Sequence, residues 1–127
     1  MYGYKKSSTL SYEEAIKRTK EELKKEGFGM LTEIDVKETL KKKLNVDFNK
    51  YVILGACNPP FAHKSLQAEL DIGLMLPCNV IVYEKDDKVV VAAIKPTVAM
   101  KMIENEPLNK IAEEVESKIK RVIDSLN

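Results

Sequence analysis

Cys57, Cys78 and His63 are the side chains best suited to chemistry near neutral pH, and all three fall in one stretch, Tyr51 to Tyr83. That stretch holds both cysteines, the only histidine and three of the five prolines, in a chain otherwise rich in Lys and Glu. It opens Tyr-Val-Ile-Leu-Gly-Ala-Cys-Asn-Pro-Pro-Phe-Ala-His and closes Leu-Met-Leu-Pro-Cys-Asn-Val-Ile-Val-Tyr. A cysteine just before an Asn-Pro helix start lies near the positive end of a helix dipole, which favours the thiolate. Two readings of Cys57 stand side by side. One is a reactive thiol with His63, a turn and a half further on, as its base. The other is a thiol packed as a small hydrophobe at a strand end. Asn58 suits a helix cap and Pro59 the first helical position, where no amide hydrogen is needed.

Cys78 begins the next strand after an excursion of 20 residues. If the strands around Ile53 and Val80 are antiparallel neighbours, the chain leaves and re-enters one end of the sheet. Cys57, Asn58, His63 and Cys78 then gather around the helix opened by Pro59. Adjacent strands lie ~4.8 Å apart, so the two sulfurs can approach. No Cys-x-x-Cys motif accompanies them, and in a reducing compartment both are expected as free thiols. Two cysteines and one histidine fall short of a four-ligand structural zinc site. No metal and no cofactor is therefore expected within one chain, a zinc shared across a dimer or one keeping a water being the only arrangements left. No phosphate-cradling loop, serine nucleophile elbow or dinucleotide fingerprint is present.

The elements that must position these residues follow from periodicity and punctuation. Tyr2 to Ser8 reads as an edge strand. Ser11 with Glu14 forms a capping box for a helix whose stripe is Tyr12, Ala15, Ile16, Thr19 and Leu23, ended by Gly27. Met30 to Val36 alternates as a half-buried strand, and Asp35 with Glu38 caps a short helix carrying Val36, Leu40 and Leu44. The Lys41–Lys43 run on that helix is read as a solvated face. Tyr51 to Ala56 is a central strand, and Ala62, Leu66 and Leu70 form the stripe of the next helix. Asn79 to Tyr83 and Lys88 to Ile94 are strands of a hairpin around Glu84–Asp87. Pro107 opens a last helix with the clearest stripe, from Leu108 and Ile111 to Leu126. The segment Pro96 to Ile103 is apolar and falls outside any clear element, so a partner subunit is expected to cover it.

At 127 residues the chain is one domain, 1–127, able to bury a core without disulfides. It carries 21 basic against 20 acidic residues, and only Arg18 and Arg121 are arginines. Nucleic-acid binding is disfavoured, because affinity for that backbone needs a basic excess. No apolar run is long enough to span a membrane, and the amino terminus lacks a signal-peptide core. A cytoplasmic location is expected. A hairpin that must be antiparallel, with long amphipathic helices, predicts an α+β sandwich: a mainly antiparallel sheet with helices on one face.

Gly55-Ala56-Cys57-Asn58-Pro59, Ile72-Gly73-Leu74-Met75-Leu76-Pro77-Cys78 and the Gly27-Phe28-Gly29 turn give the chain a resemblance to domain-of-unknown-function family 302. The likeness covers nearly the whole length. It implies a β-α-β-β-β-β-α core similar to the TATA-binding-protein class, and members that tend to dimerise. No activity comes with the family.

The functional expectation is a cytoplasmic homodimer that binds a small molecule in a pocket around the Cys57-Asn58-Pro59 turn, lined also by His63, Pro77 and Cys78. The alternative is a thiol-dependent redox or transfer enzyme centred on Cys57 with His63. Neutral, partly apolar stretches with a few polar groups are the usual material of ligand sites.

Overall fold

The computed structural model describes all 127 residues. Strand β1 (Gly3–Ser8) leads into helix α1 (Tyr12–Lys25), then strand β2 (Gly29–Asp35), helix α2 (Val36–Leu44) and strand β3 (Tyr51–Cys57). Helix α3 (Pro59–Ala68) and a 3-10 segment (Leu70–Met75) fill the excursion. Strands β4 (Cys78–Lys85) and β5 (Lys88–Ile94), a short helix α4 (Pro96–Ala99) and helix α5 (Glu106–Asp124) complete the chain. Stripped of its short helices, this order is the expected β-α-β-β-β-β-α core.

Local chemistry accounts for the main boundaries. The Ser11 hydroxyl accepts the Glu14 amide at 3.2 Å and donates to the Glu14 carboxylate at 3.1 Å, so the capping box starts α1. Gly27, at φ +89°, turns the chain out of α1, a conformation that costs a residue with a Cβ. Asp86 and Asp87 take φ of 52° and 62° between β4 and β5, the two-residue turn whose twist matches antiparallel strands. Asn105 caps α5 by accepting the Leu108 amide at 3.1 Å, so that helix begins one residue before Pro107.

The sheet order is β1-β5-β4-β3-β2, antiparallel throughout. Strand alternation sorts its two faces. Val52, Leu54 and Ala56 of β3, Val80 and Val82 of β4, and Val89, Val91 and Ala93 of β5 are buried on one face. They share a core with Ala15 and Leu23 of α1 and with Val115, Ile119, Val122 and Ile123 of α5. The first and last helices therefore cover the same side, as the α+β sandwich requires. On the other face Tyr51, Ile53, Ile81, Tyr83, Val90 and Ala92 stay half-buried.

Three sequence expectations change. Strand β2 is not half-buried. It lies at the sheet edge, a bulge between Met30 and Thr32 breaks its alternation, and Leu31 is 64% exposed. Leu66 and Leu70 do not form the inner stripe of α3. The helix ends at Ala68 and tightens into the 3-10 segment, which shifts the phase. Phe61, Ala62, Ser65 and Ile72 face inward, while Leu70 and Leu74 are 80% and 90% exposed.

Pro96 to Ile103 is the third. Part of it is covered within the chain, since α4 folds Pro96 and Met100 into the interior, while Val98 and Met102 stay 40% and 78% exposed. Met100 joins Ile72, Leu108 and Ala112 in a second small core. Glu116 of α5 holds α4 in place by accepting the Thr97 amide at 3.1 Å and its hydroxyl at 2.6 Å.

Candidate functional site

The β3–β4 register decides where the cysteines meet. Ala56 pairs with Cys78, and Gly55 with Asn79, so Cys57 lies one residue past the position opposite Cys78. Both thiols are free and half-buried. Both line one cavity at the end of the sheet, roofed by α3 and closed from below by Ile111, Ala112 and Val115 of α5. Its volume is about 30 Å³, room for one or two waters.

Burial pushes the Cys78 thiol up to about 11, and the neighbouring Cys57 adds to the shift. A thiol in that range is protonated at neutral pH and inert as a nucleophile. Asn58 and Pro77 line the cavity as expected; Pro59 and His63 do not, and both are exposed on α3. A base on His63 therefore faces solvent rather than the cavity that both cysteine residues line.

Asn58 occupies the cap position of α3 but makes no capping bond with its side chain. Pro59 and Pro60 carry no amide hydrogens, so two of the donors a cap would satisfy are missing. The buried amide instead donates through Nδ2 to the Glu26 carbonyl at 3.0 Å, tying the start of α3 to the end of α1. Gly27 makes room for it: a Cβ there would stand 3.2 Å from Asn58 Nδ2. Gly55 plays a similar part for Pro77, which follows a cis peptide bond. A Cβ on Gly55 would overlap Thr32 Oγ1 and lie 2.9 Å from Pro77 Cγ. The demand on Gly27 is conformational as well as steric, and that on Gly55 is steric, set by Thr32 and Pro77.

Sequence reasoning missed Phe28, Phe61, Ser65 and Met100 in the lining. Phe61 stood within the neutral stretch, and its helix phase relative to Ala62 was the available signal. Met100 and the α5 residues come from distant segments whose apolar pattern is the same for core and cavity wall. Lys64 and Lys118 approach the Phe61 ring to 5.6 and 5.8 Å from its centroid, so the rim beside Phe61 is cationic. No three His, Cys, Asp or Glu side chains gather anywhere to hold a metal.

Fold and cavity together define a small α+β domain with an apolar, thiol-bearing pocket at one sheet end. A family model described as "Domain of unknown function DUF302" matches residues 4–126. The chain is also similar to an uncharacterised conserved DUF302 protein from Bacillus stearothermophilus, whose crystal structure it matches with a TM-score of 0.94. That match has 34% sequence identity and covers 100% of this chain and 99% of the other. The chain belongs to the DUF302 family. No match is found among curated proteins. No helix is long and apolar enough to cross a membrane.

Proposed function

We propose that this domain is a cytoplasmic homodimeric binding protein that takes a small ligand in the cavity beneath the Cys57–Asn58 turn. One observation carries the reading: Cys57, Asn58, Pro77 and Cys78 line the same apolar cavity, although 20 residues separate the cysteines in sequence. The cavity is walled mostly by hydrophobic side chains with few polar groups, the usual makeup of a ligand site. Binding is preferred to thiol catalysis because His63, the base that Cys57 would need, is exposed and does not line the cavity.

The dimer is supported by the open sheet face rather than by Pro96–Ile103. Ile34, Ile53, Ile81 and Ala92 form a continuous cross-strand row there.

A methyl-detected NMR fragment screen tests the binding reading. Neutral fragments should perturb the Met100 and Ile111 methyl signals, and Ala62→Phe, which fills the cavity, should abolish the response. Fragments that leave those methyls unmoved, or move them equally in Ala62→Phe, would overturn the reading.

A further inference from the structure

We propose that helix α2 and the loop after it, residues 36–49, form an arm that closes over the β4–β5 turn of a second copy of this chain. The proposal rests on the dimer reading above and names the surface that completes its interface.

Within one chain α2 is capped but not packed. Asp35 accepts the Glu38 amide at 2.9 Å, and Asn45 ends the helix in the left-handed conformation at φ 53°. Yet the helix has nine residues and none is buried. Helices below about 12–15 residues are marginal in water and take most of their stability from a packed apolar face. Along the arm Leu44, Val46 and Phe48 are instead 66%, 46% and 43% exposed. The Phe48 ring lies 6.3 Å from Tyr51, which stacks on Tyr83 of the open sheet face. This apolar surface therefore runs on into the row of Ile34, Ile53, Ile81 and Ala92.

The row by itself is too small for a stable dimer. It crosses four strands, and the open face extends along β3 from Tyr51 to Gly55. At the usual strand spacing and rise that is roughly 14 by 14 Å. Two such faces bury roughly 400 Å², well short of the ~1,000 Å² of a biological interface. The arm adjoins the row and supplies the apolar surface that it lacks.

Symmetry then fixes where the arm goes. Aligned packing is one of the two arrangements open to facing sheets. A two-fold axis along the strands, over the β3–β4 pair, sets β3 over β4 and β2 over β5 in the order β1-β5-β4-β3-β2. Ile53 then lies over Ile81 of the other copy, and Ile34 over Ala92. Rotation about the strand direction leaves positions along it unchanged. The β2–β3 connection, which is the arm, therefore lands on the β4–β5 turn, because Tyr51 and Tyr83 pair at that same end of the sheet.

Charge agrees with this placement. The arm carries Lys37, Lys41, Lys42 and Lys43 against Glu38 and Asp47. Lys42 pairs with Glu38 at 2.8 Å and Lys41 with Asp47 at 3.4 Å, which leaves Lys43 free for an acidic group outside its own chain. The turn carries Glu84, Asp86 and Asp87 against Lys85 and Lys88, with Asp86 and Asp87 exposed at its tip. Arm and turn are of opposite net sign, and such rim charges set register and association rate more than affinity.

The test combines sedimentation equilibrium of the full chain with isotope-filtered NOEs in a mixture of labelled and unlabelled protein. The Leu44 and Val46 methyls should show NOEs to Val90 of the other copy. Leu44→Asp with Val46→Asp should weaken the dimer at least about 10-fold, because each carboxylate would be buried in the interface. Thermal unfolding should stay cooperative, since both positions lie outside the main core. Lys41→Gln with Lys43→Gln should flatten the rise of the dissociation constant with salt. A dimer unchanged by the two aspartates, or one whose Leu44 and Val46 methyls touch only their own chain, would overturn the arm and leave the dimer reading standing. A salt dependence that survives the lysine changes would overturn its seat on the turn. A wild-type chain that stays monomeric would overturn both readings.

Discussion

Cys78 shows how much of the site's character comes from burial rather than from partners. Its thiol is raised to about 11 chiefly by desolvation, with the neighbouring Cys57 contributing. In Cys57→Ala protein, alkylation of Cys78 should therefore be slow at pH 8 and climb as the pH approaches 11. The rate against pH, followed by mass spectrometry, checks this; a midpoint below pH 9 would contradict it. Asn58 works by a different route, through one hydrogen bond between two helices. Asn58→Ala deletes that donor and leaves the Glu26 carbonyl without it, so urea unfolding should show a loss of about 1–3 kcal/mol. Gly27→Ala is expected to cost at least about 1 kcal/mol, since φ is +89° and the new Cβ presses on Asn58. Because both act through one contact, the double variant should lose less than the sum. Strict additivity would show that the two positions are independent.

Between elements, polar ties added to the shared apolar core join α1, α3 and α5 at Glu26. Its backbone carbonyl receives Asn58, while its carboxylate binds Arg121 of α5 at 2.9 Å and Lys118 at 3.8 Å. The hydrogen bond from Arg121 holds the Glu26 carboxyl below its ordinary range, with the charges of Arg121 and Lys118 adding to it. A carboxylate lowered in the native state binds fewer protons there than in the unfolded chain. Its stabilisation is present above the ordinary carboxylate pKa and is lost as pH falls through the lowered one. Arg121→Gln should therefore destabilise at pH 7 and make little difference at pH 3. Urea unfolding across that range decides it, and a gap between the two proteins that stays constant with pH would rule out the Glu26 pairing as its source. The helices themselves were legible in the sequence, because Ser11, Glu14 and the stripe from Ala15 to Leu23 are local signals. So was the convergence of Cys57 on Cys78, which follows once Ile53 and Val80 lie on paired strands. The facing of α3 was not legible: a 3-10 segment after Ala68 breaks the period that Leu66 and Leu70 had suggested. Nor was the bond from Asn58 to Glu26, because it depends on what two consecutive prolines remove from the cap. The cover over Pro96 and Met100 comes from α5 and the 3-10 segment, contacts that no local pattern reports.

At the scale of the whole molecule, the sheet has one face under α1 and α5 and one face open. On the open face Tyr51 and Tyr83 stack at 5.4 Å, and beside them runs the row Ile34–Ile53–Ile81–Ala92. Four strands at a spacing of ~4.8 Å make that row roughly 14 Å wide, an apolar stripe across the face that no helix of the main core covers. Lys5, opposite Ala92, is the charged residue at its β1 end. A second copy is the partner that suits such a surface, since a two-fold axis over the row sets isoleucine against isoleucine without pairing like charges. The expected dimer buries more than ~1,000 Å² in total. Light scattering should give about twice the 14.4 kDa chain mass. Ile81→Lys puts a charge at the centre of the row and should return the monomer mass while thermal unfolding stays cooperative, because Ile81 lies outside the helix-covered core. Val98→Glu and Met102→Glu, on the exposed part of the Pro96–Ile103 segment, should leave the dimer intact. The opposite pattern, with Ile81→Lys dimeric and the other two monomeric, would move the interface away from the sheet. A wild-type chain that stays monomeric at high concentration would remove it altogether.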